Sequence, residues 1–278
     1  IEPGNPEAHR ELGRAYEKLG KTAQAEGVFR EAIALQPDSW TCHWQLGVFF
    51  YQHVRYEESA RQFLEVIRLF PNHFRAHTSL GGIYLLQGKF AEAERMLRKS
   101  LAIQASLEAY SNLAALYILQ ERPGLAVPLL GKAVKMEGAT YKVWGNLGDA
   151  CLSAPGKAAE APAAYRRALE MVTDHLAIHS TDTEACATRA FYLIRLGDRT
   201  HALEEIRRVL ETGPGNPAVF FWAALVYEEA GDLDRALKCL ESALAGGYSS
   251  AIVQATSDLK KLRGDPRYAA LMQAKGPH

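Results

Sequence analysis

The chain repeats itself every 34 residues, and this period constrains its fold more than any other feature of the sequence. Leu12, Leu46 and Leu80 are spaced by 34 residues, and the glycine that follows each of them keeps the same spacing. Ala202 and Ala236 continue the period in the second half of the chain. A repeat of this length is typical of stacked helix–turn–helix pairs, so the sequence predicts an all-α fold.

Fixed positions of the repeat, counted from Pro6 as position 1, indicate how the two helices of each pair meet. Positions 8 and 20 are small in every unit, because the helices cross there at close range, and positions 11 and 24 are mostly bulky. Glycines predict left-handed ends of first helices, and prolines predict the ends of second helices. The glycines are Gly20, Gly88, Gly197 and Gly231, and the prolines are Pro37, Pro71 and Pro214.

This pattern resembles the tetratricopeptide repeat family. The resemblance implies a right-handed superhelical solenoid of seven repeats with a C-terminal capping helix, and we expect one elongated array with a continuous core. Residues 1–5 match the tail of a preceding repeat, and residues 251–278 are expected to form the cap. The seven units are 6–39, 40–73, 74–106, 107–140, 141–182, 183–216 and 217–250.

Several residues predict departures from regular geometry between positions 121 and 182. The fifth unit is longer than 34 residues, so its second helix should lengthen or loop out before Asp182, a good N-cap. Pro128 predicts a late helix start or a kink, whereas Pro162 fits a first turn. In the sixth unit Arg189 replaces the usual leucine, which makes this unit the weakest match.

The two ends of the chain suggest a piece of a larger protein. The N-terminal match to a repeat tail indicates that the parent protein continues upstream. At the other end, Asp265-Pro266 is typical of a helix start, and the polar stretch around it should solvate the last repeat. This ending resembles those of repeat arrays in bacterial signalling proteins, which implies a bacterial regulatory parent.

Composition argues against several classes of partner. The chain has 32 basic and 32 acidic side chains, whereas a nucleic-acid module usually carries a basic excess. Its longest apolar run, residues 218–227, is far shorter than the ~20 residues that span a bilayer. The four cysteines show no paired spacing, which favours reduced thiols in a cytoplasmic protein. We therefore expect neither nucleic acid nor membrane as a partner.

No catalytic motif is present in the sequence: it contains no HExxH, Walker loop, GxSxG or kinase signature. We expect a non-enzymatic protein without cofactor or metal. His9, His43 and His77 share position 4 of their repeats, but helices pack ~8–10 Å apart, too far for three rings to share a zinc at ~2.1 Å per bond. Packing is therefore the favoured role of these histidines.

The resemblance places positions 2, 5, 9, 12 and 13 of the first helices on a concave face. This groove is charged at its start and apolar through its middle, which suits a peptide or helix of a partner protein. The alternative is that the repeats curl tightly and cover these side chains. The candidate partner-binding residues are Arg10, Arg14, Trp44, Val48, Tyr51, Gly82, Leu85, Ala115, Ile118, Phe191 and Phe221.

The family's carboxylate clamp for chaperone tails is incomplete here, because Thr78 and Gly82 occupy the slots of its third-repeat half. The sequence thus favours a protein-interaction scaffold. Two alternatives remain open. One is self-association through the helix at 218–227, which is apolar on nearly every face. The other is a regulatory region of a signalling enzyme whose catalytic domain lies outside this chain.

Overall fold

A computed structural model describes residues 6–213 and 215–274, and within these ranges the chain is helical and contains no strand. Helices alternate as first and second members of pairs, as the period predicts. They are α1 (Pro6–Lys18), α2 (Thr22–Leu35), α3 (Trp40–Gln52), α4 (Tyr56–Leu69), α5 (Phe74–Leu86), α6 (Phe90–Ile103), α7 (Leu107–Leu119), α8 (Pro123–Ala133), α9 (Tyr141–Ser153), α10 (Ala161–Ile178), α11 (Thr183–Arg195), α12 (Arg199–Glu211), α13 (Pro217–Ala230), α14 (Leu233–Ala245), α15 (Ser250–Ala255), α16 (Lys260–Arg263) and α17 (Pro266–Ala274).

The small residue at position 8 is required by the helix crossing. A methyl group at Gly47 would lie 2.7 Å from the Phe63 ring, and one at Gly148 would lie 2.6 Å from the Tyr165 ring. These distances are below van der Waals contact, so the aromatic ring of the second helix packs directly on the backbone of the first. The small residue at position 8 is thus explained by the bulky residue at position 24, a contact that adds to the expected approach of positions 8 and 20.

Left-handed residues end the first helices, as predicted. Gly20 and Gly231 have φ values of 69° and 80°. At the equivalent positions two repeats place a non-glycine residue in the same conformation, Val54 with φ 61° and Glu121 with φ 56°. A side chain is strained there, most of all a β-branched one. Pro214 and residues 1–5, for which a helix end and a repeat tail are predicted, lie outside the described residues.

The irregular middle of the chain follows its proline and capping signals in part. The fifth unit lengthens its second helix, because α10 has 18 residues, and Pro162 lies in the first turn. Asp182 caps α11 by accepting a hydrogen bond of 3.0 Å from the Ala185 amide. The late start predicted from Pro128 is wrong: α8 begins at Pro123, the same repeat position as the second helices before it, and holds Pro128 in its interior.

The described residues divide into two compact units. Unit 1 comprises the chain up to Leu85 together with Lys89–Ala109, and unit 2 comprises Leu86–Gly88 together with the chain from Tyr110. The division lies N-terminal to the 121–182 region where we expected a change. It falls beside the third unit, which is one residue shorter than 34 and leaves α6 through the extended Gln104.

The C-terminal segment, residues 246–274, contains three short helices instead of the single expected capping helix. Its side chains Val253, Leu259 and Leu262 are fully buried in the core of unit 2. The Tyr248 ring stacks on Phe221 of α13 with ring centroids 4.4 Å apart. The chain itself therefore covers the apolar α13, and self-association through residues 218–227 loses its premise.

Candidate binding clefts

Unit 1 contains a cleft between the first helices of its first two repeats, which we call cleft 1. It has a volume of about 840 Å³. The predicted groove positions 9 and 13 line it on both helices. Its lining residues are Glu11, Arg14, Ala15, Glu17, Lys18, Gln45, Val48, Phe49, Gln52 and His53.

The basic side chains of cleft 1 are already partly balanced. Glu11 lies 3.3 Å from Arg10 Nε and accepts a hydrogen bond of 3.1 Å from Arg14 Nη1. Burial raises the pKa of Glu17, although His53 and Arg14 oppose this shift. Because one carboxylate serves two arginines, acidic groups of a partner would have to compete with Glu11 for them.

The two aromatic anchors predicted in α3 lie in different environments. Trp44 is partly buried, with its ring 5.1 Å from Phe63 and 4.8 Å from His73, so it belongs largely to the packing of unit 1. Tyr51 is 42% exposed, next to Gln52 of the cleft, and its ring lies 5.7 Å from that of Tyr56. Of the two, Tyr51 is the side chain that a partner can reach.

The remaining predicted residues of unit 1 are less accessible. Leu85 is buried and Gly82 is partly buried. The position-4 histidines serve packing: His43 Nε2 lies 2.9 Å from the Pro37 carbonyl, and His77 Nε2 lies 2.9 Å from that of Pro71. Each ring thus ties a first helix to the loop before it, because a carbonyl can only accept the hydrogen bond.

Unit 2 contains a second cleft, cleft 2, with a volume of about 570 Å³. The ends of its first helices form one side, again at groove positions 12 and 13, and the C-terminal segment forms the other. Ile118 lines this cleft, and Ala115 lies one turn earlier on α7 and is partly buried. The lining residues are Ile118, Glu121, Pro123, Leu152, Ser153, Arg195, Glu228, Glu229, Ser257, Asp258, Lys260 and Lys261.

Arg195 is the electrostatic centre of cleft 2. Its side chain is only 7% exposed and lies 2.7 Å from Asp258 and 3.1 Å from Glu229. Its Nε atom has no hydrogen bond and lies 4.0 Å from Asp149 Oδ1. Tyr165 donates a hydrogen bond of 2.6 Å to that same Asp149 oxygen. One buried guanidinium therefore faces three carboxylates from three parts of the chain.

Glu228, on α13, also binds the C-terminal segment through its carboxylate. Glu228 is 3% exposed and accepts hydrogen bonds from the backbone amides of Lys261, at 2.6 Å, and Leu262, at 3.2 Å. Lys261 Nζ returns a bond of 3.0 Å to the Glu228 carbonyl. Burial raises the pKa of Glu228 even though the two amides stabilise its charge. Glu228 is therefore committed to the fold.

Two predicted binding residues of unit 2 are not available to a partner. Phe191 is 1% exposed, with the Trp222 ring 5.2 Å away and the Arg195 guanidinium 4.7 Å from its centroid. Phe221 is 5% exposed beneath Tyr248. The expectation that these rings face solvent is wrong, because the next repeat and the C-terminal segment cover them.

Sequence reasoning missed the contribution of the C-terminal segment to cleft 2. Ser257, Asp258, Lys260 and Lys261 follow the last repeat, so no repeat position predicts their place, and their polarity alone predicts a solvated surface. A usable signal was present in the pattern: Arg195 stands at a groove position in an otherwise apolar stretch and requires a nearby carboxylate.

Comparison with known proteins follows the same repeats. A model of the tetratricopeptide repeat matches residues 10–72, 50–110, 111–175 and 188–251. The chain belongs to the tetratricopeptide repeat family. No curated protein sequence matches it. The matched ranges include both clefts except the C-terminal side of cleft 2.

Solved structures of other tetratricopeptide-type proteins share the fold at low identity. A repeat protein from Parabacteroides merdae is 13% identical with a TM-score of 0.60, covering 92% of this chain and 98% of that one. Human IFIT1, solved as a dimer with m7Gppp-AAAA, is 18% identical with a TM-score of 0.64, covering 98% and 68%. MamA from Desulfovibrio magneticus is 20% identical with a TM-score of 0.53, covering 64% and 97%. At these identities the likeness concerns the fold alone.

Within 6–213 and 215–274, no group of three or more histidine, cysteine, aspartate or glutamate side chains has the arrangement of a metal site. None of the helices in the same part of the chain is long and apolar enough to cross a membrane. Tetratricopeptide repeats support a role in protein–protein interaction, and the clefts offer surfaces for it.

Proposed function

We propose that this chain is a protein-interaction scaffold that binds a peptide or helix of a partner protein in cleft 1. The observation that carries the proposal is the composition of this cleft. Val48 supplies an apolar side on α3, where the neighbouring Phe49 is buried in the core, and Arg14 and Lys18 supply a polar side on α1. A segment with one apolar and one charged face fits such a surface.

Exposed apolar side chains at the ends of α1 and α3 support this proposal. Leu19 is 67% exposed, Tyr51 is 42% exposed and Val54 is 65% exposed, and all three are neighbours in sequence of residues that line cleft 1. Val54 also occupies a left-handed conformation that a β-branched residue strongly disfavours. It gains no burial in return, and contact with a partner would account for a valine at this position.

The proposal is tested with peptides selected by phage display against the purified chain. Their affinities are then measured for the wild type, for Tyr51→Ala and for Leu64→Ala, a matched control because Leu64 is 46% exposed on the second helix α4. Loss of a large aromatic contact costs about 2 kcal/mol, so Tyr51→Ala should weaken binding about thirtyfold. Equal affinities for all three proteins would show that peptides bind elsewhere.

Two finer statements belong to the same proposal. We propose that the scaffold is part of a larger bacterial protein, as its resemblance to the repeat arrays of bacterial signalling proteins implies. We also propose a cytoplasmic location, because Cys42, Cys151, Cys186 and Cys239 are all buried free thiols. Fractionation of the source cells with an antibody against the chain tests both, since it reports the size and the compartment of the parent protein.

A further inference from the structure

Cleft 2 contains a charged cluster that packing alone does not explain. The C-terminal segment enters this cluster through Asp258, and the repeats enter it through Asp149 on α9, Arg195 on α11 and Glu229 on α13. A single arginine thus has three acidic neighbours. Asp149 is the most buried of the three carboxylates at 19% exposed, against 31% for Asp258 and 47% for Glu229, so repulsion between carboxylates acts most strongly on Asp149.

The geometry makes Arg195 a shared counter-ion. Its Nη2 atom lies 2.7 Å from Asp258, whereas its Nε atom has no hydrogen bond and faces Asp149 at 4.0 Å. The Asp149 carboxylate therefore attracts Arg195 without a hydrogen bond to it, and it repels Asp258 on the other side. When Asp149 is neutral, the guanidinium is left to Asp258 and Glu229 alone.

We propose that Asp149 and Arg195 form an acid-tightened latch, in which protonation of Asp149 strengthens the attachment of the C-terminal segment and closes its side of cleft 2. The part of the segment that the latch controls carries Ser257, Asp258, Lys260 and Lys261, all of which line the cleft. Attachment of the segment brings Asp258 towards Asp149. Attachment therefore raises the affinity of Asp149 for a proton. By linkage, protonation of Asp149 stabilises the attached state of the segment by the same free energy.

The titration behaviour of the cluster agrees with this geometry. Burial, with repulsion by Asp258, raises the pKa of Asp149 from 3.8 to about 6, although Arg195 and the Tyr165 hydroxyl oppose the shift. The other titratable group on α11 that faces Asp149 is Tyr192, whose own pKa is raised by burial. The pKa of Asp149 is thus higher with the segment attached than with the segment detached. The attachment is therefore strongest below pH 4, weakens as pH rises through 6 and is weakest above that pH.

Hydrogen–deuterium exchange of the full chain tests the latch. The reporters are the amides of Leu262, Arg263, Gly264 and Asp265, which are hydrogen-bonded within or to the segment. Detachment removes the repulsion by Asp258 but not the burial of Asp149 among the repeats, so opening should be at most about tenfold more frequent at pH 7.5 than at pH 5 after correction for intrinsic exchange rates. Asp149→Asn should remove this dependence and stay at the tight level, whereas Asp174→Asn, an exposed control on α10, should retain it.

Protection of these amides that does not change with pH in the wild type overturns the latch, and so does an unchanged dependence in Asp149→Asn. If Asp149→Asn does not fold, ¹³C NMR titration of Asp149 in the wild type and in Asp258→Asn decides the question. The pKa of Asp149 should fall in Asp258→Asn. An unchanged pKa would contradict the proposed coupling between the two carboxylates.

Discussion

Replacing Arg189 by leucine tests how this chain tolerates its least typical repeat. The change restores the residue that the repeat pattern favours at position 7, so sequence reasoning alone predicts a gain in stability. The structure predicts a loss. Arg189 Nε lies 3.0 Å from both carboxylate oxygens of Glu205, whose side chain is only 8% exposed, so the leucine would leave a buried carboxylate without its partner.

The size of the loss follows from the buried carboxylate. Removing one partner of a buried ion pair typically costs about 3–5 kcal/mol. Arg208 lies 3.8 Å from Glu205 and offers a weak, exposed replacement, which lowers the expected cost. Arg189→Leu should therefore lose about 2–4 kcal/mol.

Urea denaturation at pH 7 followed by circular dichroism measures this loss. Replacing the pair as a whole, in Arg189→Leu with Glu205→Leu, should return the free energy of unfolding to within about 1 kcal/mol of the wild type, since no charge is left unpaired. Arg166→Leu, at an exposed site on α10, serves as the control and should change little. A single variant as stable as the wild type at pH 7, or a double variant no better than the single one, would refute the reasoning.

Two further predictions concern the backbone of the repeats. Val54→Gly should raise the free energy of unfolding by about 1 kcal/mol in urea denaturation, because glycine adopts the left-handed conformation without the strain of a valine. The same change should lower the affinity of the peptides selected for cleft 1. A loss of stability would contradict the assignment of strain. Gly148→Ala should lower the free energy of unfolding by about 1–3 kcal/mol in thermal denaturation, because its methyl group would lie 2.6 Å from the Tyr165 ring. Gly124→Ala serves as the control and should cause no such loss, because the space around Gly124 is open. Equal effects of the two changes would contradict the close helix crossing.

Helix order, pairing and caps could be predicted because they depend on local signals. The 34-residue period fixes which helices pair. Gly47 marks a helix crossing because only a residue without a side chain fits there, and Asp182 marks a helix start because its side chain accepts a hydrogen bond from the first turn. Pro128 shows the limit of such signals. Its missing amide predicts a disturbed start, but Pro123 at the first position already begins α8, and the proline is accommodated within the helix.

The clefts could be predicted only in part, because accessibility depends on what packs above a residue and not on its position in the repeat. Position 9 illustrates this: Arg14 and Val48 line cleft 1, whereas Phe191 at the equivalent position is buried beneath Trp222. Position 5 is a second example, because Phe221 is covered by Tyr248, a residue of the C-terminal segment. A residue pattern that repeats along the chain contains no information about a C-terminal segment that does not repeat.

The hydrogen-exchange footprint of a selected peptide on the full chain tests the central claim most directly. Peptide binding in cleft 1 should slow exchange in the C-terminal halves of α1 and α3 and in the turns at Leu19 and Val54. Exchange on the outer faces of α2 and α4 should not change. Protection confined to the second helices, or to unit 2 alone, would contradict binding in cleft 1.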